Sequence, residues 1–279
     1  CSFFLPPSEL PAAIPSAAMS AILDPPPPPP LGAGGALSLK AAYSGTAAGA
    51  ICEDCAPFSE THYPKGLNAN FLLGDATAIV TEHIAKFEDP EKRDIARAAP
   101  EVVQLLIEVG ALSKSTVVAD IGAGTGLFVE VLAQVAESVF AVEISPAFVA
   151  HLQSQVESKA LKNVSVIESG PSDPHLPRNS VDLAFICDVY HHFEFPKTVC
   201  GHLLEALRPG GRLVVIDFIR DEAVHKSHPA GWITEHVRAG QEVFRAEIES
   251  AGFRLLDEPS IASLVENYCM IFEPAATEQ

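Results

Sequence analysis

Ser115-Thr116-Val117-Val118-Ala119-Asp120-Ile121-Gly122-Ala123-Gly124-Thr125-Gly126 decides how this chain folds. An apolar, β-branched run ends in an acid, three glycines follow at alternate positions, and Gly126 to Ala136 then reads as helix. That is a buried strand turning sharply into a helix. Glycine there permits the turn and lets backbone N–H groups approach a ligand with no Cβ in the way. A dinucleotide-binding loop places its third glycine one position later, as GxGxxG, to admit a pyrophosphate. The GxGxG spacing therefore argues against a nicotinamide-dependent oxidoreductase.

Downstream the same alternation repeats. Val139 to Glu143, Asn163 to Glu168, Val181 to Cys187 and Arg212 to Phe218 read as strands, with helices at Pro146 to Ala160 and Pro196 to Leu207 between them. Strands separated by helices of this length predict a parallel sheet with right-handed crossovers. A last helix is expected from about Gly231 to Ala251, with Ile233, Val237, Phe244 and Ile248 as its core face. Phe253 to Leu256 and Asn267 to Phe272 would then form an antiparallel edge hairpin. Upstream, Ile84 to Gly110 reads as one or two helices. The division is thus a low-complexity tail over 1–60, cap helices over 61–112 and the α/β domain over 113–274.

The tail is rich in Pro, Ala and Gly and contains Pro25 to Pro30 unbroken, which favours polyproline II and supplies too few large side chains for a core. A chain of 279 residues that is 48% hydrophobic and 19% charged can still bury a sizeable core, which excludes disorder throughout. The net charge of −18 disfavours a phosphate backbone as partner, so no nucleic acid is expected. The mixed row Glu88-Asp89-Pro90-Glu91-Lys92-Arg93-Asp94 reads as a solvated face. No apolar run of about 18 or more residues predicts a membrane span. The six cysteines form no disulfide framework, and Cys52-Glu53-Asp54-Cys55 is only half of a zinc or redox pattern. A cytoplasmic location is expected, with organelle targeting or a lipid-modified Cys1 as the alternatives the tail leaves open.

The chemistry gathers at strand ends. Glu143 lies 143 − 120 = 23 residues beyond Asp120, where an acid can accept hydrogen bonds from both hydroxyls of a ribose. Glu168-Ser169-Gly170-Pro171-Ser172-Asp173 offers polar groups for an adenine ring. Cys187-Asp188-Val189-Tyr190-His191-His192-Phe193 ends the fourth strand at the carboxyl edge, where open α/β sheets bind ligands. Tyr190, His191 or His192 can serve there as base or orienter; the bland alternative is that one histidine packs in the core and the other caps the next helix. Asp217, ending the fifth strand, is a substrate contact or a loop cap. His225, His228, Trp232, His236 and Arg238 form a second cluster able to cover the substrate end, Trp232 and His236 sharing one helix face. Together with His191 and His192 they could bind a metal, since imidazole suits zinc, copper or nickel, but no HxxxH pair sits on one element and surface histidines are common, so no metal is expected.

Taken together, these motifs resemble those of the class I S-adenosylmethionine-dependent methyltransferases over about Ser115 to Phe272, and within them the small-molecule methyltransferase-domain proteins carrying Asp188-Val189-Tyr190-His191-His192-Phe193. The resemblance implies a Rossmann-like seven-stranded sheet in the order 3-2-1-4-5-7-6, strand 7 antiparallel, with helices on both faces. It also implies S-adenosyl-L-methionine as cofactor and a small-molecule methyl acceptor. Asp120, Gly122, Ala123 and Gly124 would flank the methionine part, Glu143 and Ile144 the ribose, Ser172 or Asp173 the adenine, and Asp188 the floor. Pro171 stands where many relatives have an acid. The alternatives are a protein or RNA methyltransferase and a catalytically silent cofactor-binding domain.

Overall fold

The computed structural model describes residues 68–225 and 228–276. The expected tail over 1–60, Cys52, Cys55 and the start of the cap segment lie outside them. Three helices come first: α1 (Ala69–Leu72), α2 (Ala76–Phe87) and α3 (Asp94–Glu108). The alternating part follows as β1 (Val117–Ile121), α4 (Val129–Val135), β2 (Ser138–Glu143), α5 (Pro146–Ser158), β3 (Val164–Glu168) and β4 (Val181–Cys187). After a 3₁₀ turn at Tyr190–His192 come α6 (Pro196–Ala206), β5 (Leu207–Phe218), α7 (Trp232–His236), α8 (Gln241–Ser250), β6 (Phe253–Asp257) and β7 (Asn267–Pro274).

The strands form one sheet in the order β3-β2-β1-β4-β5-β7-β6, as the resemblance implies. β1 pairs in parallel with β2 and β4, whereas β7 runs antiparallel between β5 and β6. Every residue of β1 is buried, the signature of a strand covered on both faces. Its side chains alternate: Val117, Ala119 and Ile121 join a core with Leu203, Phe244 and Ile248, while Val118 joins Val102, Leu106, Leu132 and Leu152 on the other face. At residue-level apolar burial of about 25 cal/mol per Å², these two cores are the main source of stability.

One expected element divides in two. The helix foreseen over Gly231 to Ala251 stops at His236, Val237 is extended, and a new helix starts after Gly240. Arg220 explains the stop, because its guanidinium donates to the carbonyls of Val237 (2.8 Å) and Thr234 (3.0 Å), taking acceptors that a continuing helix would use. Ile233, Val237, Phe244 and Ile248 are nonetheless all in the core, as read from their spacing. Across the gap, Arg238 and Glu247 make a buried two-point ion pair at 2.8 Å for each bond. No helix among the described residues is long and apolar enough to cross a membrane.

The charged row 88–94 is not uniformly solvated. Lys92 pairs with Asp89 in solvent, but Arg93 and Asp94 turn inward. Asp94 Oδ2 accepts from the N–H groups of Val265 (2.7 Å) and Glu266 (2.8 Å), tying α3 to the loop before β7. Replacing Asp94 by Ala orphans the buried Glu266 N–H, at a cost of about 1–3 kcal/mol. We expect a Tm lower by roughly 3–10 °C for a domain of this size, read by circular dichroism. An unchanged Tm would remove this tie from the account.

Candidate active site

β1 delivers Asp120 and the glycine loop to the carboxyl edge of the sheet. The N–H groups of Gly122 and Ala123 donate to Val142 O (2.7 and 3.0 Å), and Gly124 N–H donates to Glu143 Oε2 (2.7 Å). Glu143 Oε1 accepts in turn from Ile144 and Ser145 N–H, at 2.8 Å each. Glu143 therefore staples the loop to the end of β2, and its carboxylate has used three of about four acceptor positions. Burial raises its pKa while those three bonds oppose the rise. Asp120 differs. Its carboxylate lines the cavity with no hydrogen-bond partner among the described residues, and burial, then the charge of Glu143, push it up to about 7.

The cavity measures about 680 Å³, within the range of small-molecule sites. Ala123, Gly124 and Asp188 line it, as do Phe71 from α1 and His83 and Phe87 from α2. Asp188 has a left-handed backbone, φ 53°, a conformation that costs energy for any residue with a Cβ and collects at functional sites. Its carboxylate bonds to the Arg93 guanidinium and to the Asn267 amide. Burial raises it to about 7 even though Arg93 pulls the other way. The Arg93 guanidinium also lies 5.5 and 5.4 Å from the ring centres of Phe87 and Phe218. Neither Arg93 nor Asn267 stood out in the sequence. Arg93 was hidden in a mixed-charge row, and nothing in the pattern links Asn267 to a strand 79 residues earlier.

The three residues after Val189 part company. Tyr190 is fully buried behind the cavity, packed on Phe193 and Phe244, and its oxygen faces Cys200 Sγ; burial holds its hydroxyl far above the ordinary value. It is not on the cavity wall. His191 and His192 are. His191 Nδ1 meets Asp217 Oδ1 at 2.7 Å, and Asp217 also accepts from Phe218 N–H (2.7 Å) and His191 N–H (3.0 Å). With both oxygens accepting, the imidazole proton sits on Nδ1 and Nε2 is bare. That Nε2 is 3.3 Å from His236 Nε2. Burial keeps these rings neutral, pushing His191 down to about 3, His236 to about 4 and His192 well below its ordinary value. Asp217 lies beneath His191 rather than on the wall.

The second cluster splits likewise. His228, Trp232 and His236 stack as a column along the wall, with ring centres 3.7 and 4.8 Å apart. His225 bonds to Ile219 O (2.6 Å), and Arg238 is spent on Glu247. On the β3 side, Asp173 Oδ1 accepts from the His175 N–H (2.7 Å) and closes a local turn. Ser172 and Asp173 line neither cavity. Gly170, Pro171 and Pro174 instead line a smaller slot of about 60 Å³ with Ile144 and Val189.

Comparison with known proteins follows the same outline. A family model described as a methyltransferase domain matches residues 119–215. The O-methyltransferase cnsE of Penicillium expansum is 26% identical over 199 residues, covering 68% of this chain and 71% of that one. The protein-L-isoaspartate O-methyltransferase of Pyrococcus horikoshii is 28% identical over 119 residues, so this chain spans about half (51%) of its length. In fold, a crystal structure of an S-adenosylmethionine-dependent methyltransferase from Aquifex aeolicus is similar, with a TM-score of 0.57, 24% identity and coverage of 72% of this chain and 97% of that one. Residues 119–215 thus match a methyltransferase domain, and the strand order is that of the Rossmann-like methyltransferase fold. S-adenosyl-L-methionine is the cofactor expected of it.

Gly122 has φ 72°, and a Cβ built on it would clash with Val189 Cγ1. Gly122→Ala is expected to lose about 1–3 kcal/mol from backbone strain, with the clash in addition. Val189→Ala in the same chain should return part of the loss, a coupling of about 0.5–3 kcal/mol in a double-mutant cycle of urea melts. Simple additivity would show that the two residues do not press on one another.

Proposed function

We propose that this protein transfers a methyl group from S-adenosylmethionine to a small-molecule acceptor. One observation carries the reading: the unpartnered carboxylate of Asp120 on the cavity wall beside the glycine loop. A buried carboxylate with no counter-charge of its own suits a cationic ligand, and S-adenosylmethionine carries both a sulfonium and an ammonium group. Asp120, Gly122, Ala123 and Gly124 would hold its methionine part and Asp188 the floor. The remaining acceptor position of Glu143 Oε2 would take a ribose hydroxyl, and Ile144 with the apolar slot would take the adenine. Ser172 and Asp173 would act there only through their backbone. When bound, the cofactor supplies a methyl group already activated on sulfur, so alignment is the protein's main contribution.

His191 and His192 lie at the acceptor end, with His236 completing the group. They orient the acceptor's nucleophilic atom and receive its proton where it has one, Asp217 holding His191 in position. Tyr190 takes no part. The volume of the cavity, the cap helices over it and the acidity of the chain support a small acceptor over a peptide or RNA.

The deciding experiment is calorimetric titration with S-adenosylmethionine, S-adenosylhomocysteine and NAD, followed by an acceptor screen of small alcohols, phenols and thiols beside an isoaspartyl peptide. Binding of the first two ligands without NAD, and methylation of a small acceptor, are expected. No binding of either would leave a silent domain, and methylation of the peptide alone would replace the acceptor class. With an acceptor in hand, His191→Ala and Asp217→Asn should lower kcat about 10²–10⁴-fold at unchanged cofactor affinity.

Asp120→Asn separates binding from stability. A carboxylate raised in the folded state weakens the fold: the cost is absent below the unfolded value, grows as pH rises, and is complete above about 7. The variant should therefore lose cofactor affinity yet melt above wild type at about pH 8, with the gap narrowing toward about pH 5. Equal affinity for the cofactor would remove Asp120 from the site.

A further inference from the structure

Two groups of three side chains able to hold a metal ion occur among the described residues: His191, His192 and His236, and His225, His228 and Glu266. The first lines the cavity, and its lone pairs can be followed one by one. The His191 proton is fixed on Nδ1 by Asp217, which leaves Nε2 bare toward the cavity. His236 Nε2 lies 3.3 Å away. Two imidazole nitrogens on one tetrahedral ion, each at about 2.0–2.1 Å, would stand about 3.3–3.4 Å apart. His192 Nδ1 is buried without a hydrogen-bond partner, and one nitrogen from each ring lies within 4.8 Å of the other two.

The rings are also held in place. His236 stacks on Trp232, His191 packs 5.5 Å from Phe218, and the Phe71 ring meets His192 edge-on at 5.3 Å. A ligand histidine whose second nitrogen donates to a carboxylate is the usual arrangement behind a metal, and Asp217 provides it for His191.

We propose that His191, His192 and His236 bind a divalent transition-metal ion of the zinc class, with Asp217 supporting His191 and a fourth position open to the cavity. Three neutral imidazoles and an open position suit such an ion. From the sequence these histidines are a possible metal group without ligand spacing, because they come from a 3₁₀ turn and from α7, 45 residues apart. The ligand for the open position is an acceptor with a hydroxyl or thiol able to coordinate the ion through oxygen or sulfur, a clause that rests on the methyltransferase reading. With the ion bound, the imidazoles act as ligands rather than as proton acceptors.

The test uses the full chain, stripped with a chelator and titrated with Co(II) as a spectroscopic probe, then with Zn(II) in competition. One equivalent of Co(II) with a tetrahedral visible spectrum, displaced by Zn(II), is expected. His191→Gln and His236→Gln should lose it, and Asp217→Asn should weaken it about 10–100-fold. Should a glutamine variant fail to fold, the wild-type spectrum still decides, since nitrogen ligation lacks the thiolate band that Cys52 and Cys55 would give. Absence of binding, a thiolate band, retention in both glutamine variants, or loss in His228→Gln alone would each overturn the proposal. Cofactor titration runs in parallel: a chain that binds S-adenosylmethionine but no Co(II) fails this inference alone, and one that binds Co(II) but no cofactor fails the functional reading alone. Asp120→Asn should keep the ion.

Discussion

Three backbone N–H groups, from Gly124, Ile144 and Ser145, converge on the carboxylate of Glu143, and the shape of the whole site depends on that convergence. Charge-assisted bonds to backbone N–H are about twice as strong as neutral ones. Here they join the loop after β1 to the end of β2, fixing two neighbouring strand ends to one another at the sheet's carboxyl edge. The glycine loop can then lie flat beneath Val189, and Asp120 is left facing the cavity instead of being used to hold the loop.

The other wall is built by the same economy. Asp217 accepts three hydrogen bonds and thereby sets the tautomer of His191. Asp188 accepts from Arg93 and Asn267 and thereby joins the start of α3 to β7. Each of these acids is buried and held near neutrality in pKa, which is a standing cost to the fold. Two large apolar cores, one on each face of the sheet, offset it. The acids are thus tolerated where the sheet is strongest, in the middle of its edge at β1, β4 and β5.

Much of this was legible in the sequence. Strand and helix periods and the glycine spacing were sufficient for the alternating fold, because each is a local signal that tertiary packing reinforces. The residues that read less well are those whose role depends on a distant partner. Glu143 was recognised as an acid at the right strand end, but no spacing rule shows that backbone groups already occupy most of it. Tyr190 was grouped with His191 and His192, yet a 3₁₀ turn spreads three consecutive side chains around its axis, and Tyr190 falls on the core side. The break after His236 depends on Arg220, and the burial of Arg93 on Asp188; both partners are too far along the chain for a pattern to connect them.

The order of the strands also governs when the site can exist. β7 is the last strand among the described residues yet lies inside the sheet, between β5 and β6, and it carries Asn267 to Asp188. During synthesis Asn267 is added 79 residues after Asp188, which at about 5–20 residues per second is a delay of roughly 4–16 s. Throughout that interval β5 has an open edge and Asp188 lacks one of its two partners. A nascent chain can thus form the glycine loop early, but Asp188 gains its second partner only when β7 has been inserted.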